Sequence, residues 1–73
     1  MQYPTVDLRA TGNRIKELRK ASGLSVVELS EMTGLTIQSI YHWQYGMKLP
    51  SIDNLVILAS IFGVTMDEIV VTR

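Results

Sequence analysis

The 73-residue sequence has no cysteine, a single histidine, a single tryptophan and only two prolines. The missing thiols exclude disulfide staples, thiolate metal sites and cysteine nucleophiles. One imidazole does not supply the ligand set of a usual zinc site, so neither a metal nor any other cofactor is expected. Long apolar runs are lacking as well. The longest, Leu55 to Ala59, falls far short of the roughly 20 residues that a membrane helix needs. The opening MQYPTVDLRA has no basic stretch leading into an apolar one, so no signal peptide is read. No membrane association is expected, and the expected location is cytoplasmic. Net charge is also missing: seven basic residues balance seven acidic ones, which withholds the overall basic character typical of nucleic-acid binders. The balance conceals an asymmetry, because residues 1–20 carry five basic and two acidic side chains and residues 21–73 carry two basic and five acidic ones. One end of the molecule is therefore expected to be basic.

What is present argues for a packed domain. Apolar residues make up 47% of the chain and charged residues 19%, outside the range of disordered sequences. A chain of this length forms one domain and buries roughly 60% of its unfolded surface. The expected organisation is an arm over residues 1–10 followed by a single domain over residues 11–73. Cap signals then recur at short intervals. Thr11 precedes GNRIKEL, where Ile15, Leu18 and Ser22 share a helix face that ends near Gly23. Ser25 with Glu28 three residues later has the form of a capping box, and that helix stops at Gly34. Thr36 caps a third helix running to about Tyr45, closed by Gly46. Ser51, after Pro50, caps a fourth that runs to about Phe62 and stops at Gly63. Thr65 caps a fifth, whose first turn places Asp67 and Glu68 at the positive end of the helix dipole. An all-α fold of five short helices follows. Only VDLR at 6–9 and IVVT at 69–72 have strand character, and a short pairing between them would tie the termini together.

Catalytic patterns are not found. Ser39 and His42 stand three apart on one helix, with the nearest downstream acid, Asp53, in another element. That is helical spacing, not a nucleophile, base and orienting group. No glycine-rich phosphate loop is present. Neither an enzyme nor a small-molecule substrate is expected.

The informative constellation is the close junction of the second and third helices through TGLT. Leu29, Met32, Leu35, Ile40 and Trp43 have the spacing to bury one shared face, with the small Ser30 where two helices must cross closely. One helix then braces while the next presents its outer face to a partner. Taken with LRKASGLS, Gly46, LPS and GVTMDEI, the stretch from Gly12 to Val70 resembles the phage-repressor and Cro-type helix-turn-helix family, which includes the xenobiotic-response-element-type bacterial regulators. The resemblance implies a five-helix, lambda-repressor-like DNA-binding domain of bacterial or phage origin. It further implies a small, dimeric transcriptional regulator that places helix 36–45 in the major groove of double-stranded DNA.

Carried over by position, the DNA-facing residues are Thr36, Ile37, Gln38, Ser39, Tyr41 and His42. The Gln38 amide has the chemistry to pair with adenine, and Ile37 to pack on a thymine methyl. Lys48, with Arg14 or Arg9, would hold phosphates. The sequence departs from the family pattern in three places. Val26 stands where the family commonly has Gln, and Gln44 where it commonly has Glu paired with the arginine matching Arg19. Residues 34–47 contain no Lys, Arg, Asp or Glu. With few phosphate contacts per subunit, useful affinity calls for a homodimer on two half-sites. The same neutrality supports a different reading, a protein-interaction module of antitoxin-like type that binds its partner through an Ile37, Tyr41 and Tyr45 stripe. On the fourth helix, Ile57 and Ile61 exceed what the core needs. They are expected to be covered by Val6 and Leu8 of the arm or by a second subunit.

Overall fold

The computed structural model describes residues 2–73. Five helices follow one another: α1 (Leu8–Ala21), α2 (Val26–Thr33), α3 (Ile37–Gln44), α4 (Ile52–Phe62) and α5 (Met66–Ile69). Four of the starts follow from their caps. Ser25, Thr36, Ser51 and Thr65 each accept the backbone N–H three residues on. At Ser25 and Thr65 the carboxylates of Glu28 and Glu68 answer by accepting the cap residue's own N–H. Gly34 and Gly63 close α2 and α4 in the left-handed conformation, at φ of 75° and 68°, where a side chain would be strained.

α1 departs from the expected start. It begins at Leu8, inside the stretch read as an arm, because the Asp7 carboxylate accepts the Ala10 N–H at 2.9 Å and caps the helix there. Thr11 and Gly12, read as start signals, lie buried within the helix. The Thr11 hydroxyl instead accepts the Val71 N–H at 3.0 Å and donates to the Val71 carbonyl at 3.4 Å. The pairing of residues 6–9 with 69–72 is reduced to one antiparallel bridge, Val6 with Thr72. Thr5 and Arg73 exchange backbone hydrogen bonds of 3.3 and 2.9 Å beside it. Leu8, Arg9 and Ile69 are unavailable to a strand because α1 and α5 have taken them.

The core draws one fully buried aliphatic side chain from each helix: Ile15, Leu29, Ile40, Leu58 and Ile69. Val26, Trp43 and Ala59 complete it, and Leu18, Leu35, Ile61 and Phe62 pack against its edge. Each such aliphatic contributes about 1.5–3 kcal/mol on burial, so helices too short to persist alone are held by their shared interior. Met32, expected on the shared face of α2 and α3, is exposed. Val26 and Leu29 define the buried side of α2, and the helical period carries Met32 about a quarter-turn off it.

Candidate nucleic-acid interface

The placement of α3 is determined by three constraints, one from α2 at its N-terminal side and two from α1 at its C-terminal side. At its N-terminal side, the Ser30 hydroxyl donates to the Leu35 carbonyl at 2.6 Å across the α2–α3 turn. Thr33 links the same turn, donating to the Leu29 carbonyl and accepting the Leu35 N–H. At its C-terminal side, Arg19 of α1 is buried and donates to the Gln44 side-chain oxygen at 2.9 Å and to the Leu24 carbonyl at 2.7 Å. Both acceptors are neutral, so the buried guanidinium is held by hydrogen bonds alone. Among the described residues no buried side-chain nitrogen or oxygen lacks a partner. The third constraint is steric. Gly12 lets α1 lie directly against the carbonyls of Trp43 and Gln44, where a Cβ would overlap the first and lie 2.9 Å from the second.

So braced, α3 buries Ile40, Trp43 and Gln44 and turns its other side outward. Ile37, Tyr41 and Tyr45 are 41%, 40% and 67% exposed. The two tyrosine rings stack, with centroids 5.8 Å apart and planes 11° from parallel. Gln38 is exposed, and its amide has no hydrogen-bond partner among the described residues. Thr36 and Ser39 form a hydrogen-bonded pair at the tip. The Thr36 oxygen accepts the Ser39 N–H at 3.1 Å, and its hydroxyl donates to Ser39 Oγ at 2.8 Å. Ser39 and His42 are half-buried at the margins. Lys48 is exposed in the exit turn, with its backbone N–H 3.4 Å from the His42 carbonyl oxygen.

Two groups of expected site residues fall elsewhere. Arg14 donates through Nε to the Glu68 carbonyl at 2.7 Å. It therefore lies on the α5 side of α1, about half a turn from Gly12, and is not brought together with the outer face of α3. Arg9 is the α1 cation near the exit of α3, its backbone abutting Gly46, close enough that a Cβ on Gly46 would lie 3.0 Å from the Arg9 Cα. On α4, Ile57 and Ile61 are half-buried, and Ile61 packs on the core. The apolar residues that α4 leaves open are Ile52 and Val56, 71% and 51% exposed. Their i, i+4 spacing was visible, but α4 carries apolar residues around most of its circumference, and the sequence did not show which pair faces outward. Val26 is buried in the core, so it adds nothing to the stripe on α3.

Comparison with known proteins agrees with this architecture. A family profile described as helix-turn-helix matches residues 15–69, and the chain belongs to that family. Its relatives include the uncharacterized HTH-type transcriptional regulator YobD of Bacillus subtilis, 38% identical over 77% of this chain and 50% of YobD. A protein of Pyrococcus furiosus named as an HTH-type transcriptional regulatory protein is 38% identical over 75% of this chain and 18% of its own length. The chain thus spans half or less of these relatives. Among solved structures, the restriction-modification controller protein C.AhdI from Aeromonas hydrophila superposes with a TM-score of 0.78 at 32% identity, covering 86% of this chain and 96% of that one. The DNA-binding domain of S. venezulae BldD shares the fold, with a TM-score of 0.76 at 20% identity over 88% of this chain and 96% of the other.

Proposed function

We propose that this chain binds duplex DNA sequence-specifically as a transcriptional regulator and docks α3 in the major groove. The carrying observation is the bracing of α3. Its inner side is fixed by α1 and α2, while its first turn, with the unpartnered Gln38 amide, projects freely. A helix so held fits the major groove with its N-terminal residues at the base edges. Thr36, Ile37, Gln38, Ser39, Tyr41 and His42 face the groove, and Lys48 and Arg9 hold the backbone. Arg14, turned toward α5, contributes to the field of the basic end without touching DNA. The regulators and DNA-binding domains among its relatives support this reading. The protein acts as a homodimer in the cytoplasm. One subunit offers few cations near α3, and two half-sites multiply a weak contact. Among the described residues, no helix is long and apolar enough to cross a membrane.

The test is fluorescence anisotropy on a mixed-sequence duplex and on a site selected from a random library, between 50 and 200 mM salt. Lys48→Ala should weaken binding on every sequence and flatten the salt slope by about 0.9. Gln38→Ala should cost about 1–3 kcal/mol and relax preference at one position. An unchanged slope and unchanged selectivity in both variants would remove this docking geometry. The exposed Ile37, Tyr41 and Tyr45 stripe supports a second reading, a protein-interaction surface on the same scaffold. It predicts that Tyr45→Ala abolishes capture of a protein partner while any DNA binding is unaffected.

A further inference from the structure

The bonding at the tip of α3 narrows what that tip reads. Four residues there were candidates for base contact: Thr36, Ile37, Gln38 and Ser39. The structure pairs two of them with each other. The Thr36 oxygen takes the Ser39 N–H, and its proton goes to Ser39 Oγ, so Thr36 has no donor left, while Ser39 keeps its own hydroxyl proton but is half-buried. What stands exposed in the first turn with no partner of its own is the Gln38 amide, beside the aliphatic side chain of Ile37, 41% exposed. Further along the same side, the stacked rings of Tyr41 and Tyr45 extend the apolar surface. No charged side chain stands anywhere between Gly34 and Met47. A surface of this kind distinguishes bases through apolar contact more than through a fork of donors. In the major groove, the one apolar group a base pair of unmodified DNA presents is the C5-methyl of thymine.

Resting on the DNA-binding reading above, we infer that the specificity of this protein is carried by thymine methyl groups packed against Ile37, with the exposed Gln38 amide as the main polar reader of the first turn. The ligand is thus a duplex whose half-sites place thymine opposite the start of α3. Replacing that thymine by uracil removes the methyl and changes neither the base pairing nor the phosphate charge.

The experiment takes the selected duplex and substitutes each thymine of a half-site in turn with deoxyuridine, with affinity read by anisotropy for the full chain. At one or two positions the substitution should lower affinity roughly fourfold per methyl, the size of one buried methylene-sized group. In Ile37→Ala the same substitution should have no further effect, which is the coupling that a double-mutant cycle isolates. Intact binding with no sensitivity to uracil, or with equal sensitivity in Ile37→Ala, overturns the inference and leaves the DNA-binding reading standing. Failure to bind any duplex at 50 mM salt overturns that reading, and the inference with it.

Discussion

Replacing Gly12 by alanine tests whether the contact between α1 and α3 organises the domain. An alanine Cβ would overlap the Trp43 carbonyl oxygen and lie 2.9 Å from that of Gln44. Both obstacles are backbone, so no rotamer change relieves them and α1 must shift bodily. In its favour the substitution has helix propensity, worth about 1 kcal/mol for alanine over glycine. Against it stand overpacking, about 1–3 kcal/mol, and loosening of the Arg19–Gln44 hydrogen bond, in the class worth about 1.5–3 kcal/mol when one partner is charged. The net expectation is a loss of about 1.5–5 kcal/mol. For a domain of this size each kcal/mol corresponds to about 4–8 °C in Tm, so Tm should fall by at least about 6 °C. Urea unfolding followed through the single, buried Trp43 measures this directly. Asn13→Ala, an exposed neighbour on the same helix, serves as the control and should be neutral or slightly stabilising. A Gly12→Ala protein as stable as its parent would refute the argument that close approach, and not chain entry, explains this glycine.

Two further outcomes follow from the same physics. Gln44→Ala strips the buried Arg19 of its side-chain acceptor and should cost about 1.5–3 kcal/mol, whereas Gln44→Glu, which keeps an acceptor in place, should retain or raise the urea midpoint; equal midpoints for Ala and Glu would contradict this. Glu28 titrates below the ordinary 4.5 because its carboxylate accepts the Ser25 backbone N–H and interacts with the Ser25 hydroxyl. A lowered folded-state value means that this contribution is full above the unfolded value and disappears as pH falls through the folded one. Stability measured from pH 7 to 3 should accordingly decline less steeply in Glu28→Gln, and parallel curves would show that the capping box contributes no pH dependence.

Much of this architecture was legible because helix caps are local. Ser25, Thr36, Ser51 and Thr65 announce their helices through chemistry confined to four residues, and Gly34 and Gly63 end theirs by conformation alone. The start of α1 misled for the complementary reason. Thr11 and Gly12 have the residue types of a helix entrance, yet both serve contacts distant in sequence, Thr11 with Val71 and Gly12 with Trp43 and Gln44. Asp7, the true cap, was the less conspicuous signal. At the candidate site, the sequence indicated which helix faces outward and which residue types it carries. It did not disclose that the Thr36 hydroxyl is spent on Ser39, that Arg14 turns to Glu68, or that α4 leaves Ile52 and Val56 open. The last two depend on the relative rotation of helices, which only the packed core fixes, whereas the Thr36–Ser39 bond is local to the cap of α3 and turns on which way one hydroxyl points.

The meeting of Thr5 with Arg73, and of Thr11 with Val71, makes the backbone nearly a ring. Neighbouring ends of this kind are where circular permutation succeeds. A short linker from Arg73 back to Thr5 would close the ring, and it could be reopened at the exposed turn between Ser22 and Gly23 without cutting a helix. The permuted chain would begin with α2 and finish with α1, so that the brace of α3 would be made last instead of first. Its five buried aliphatics would still meet in the same places, because what they recognise is one another and not their order along the chain.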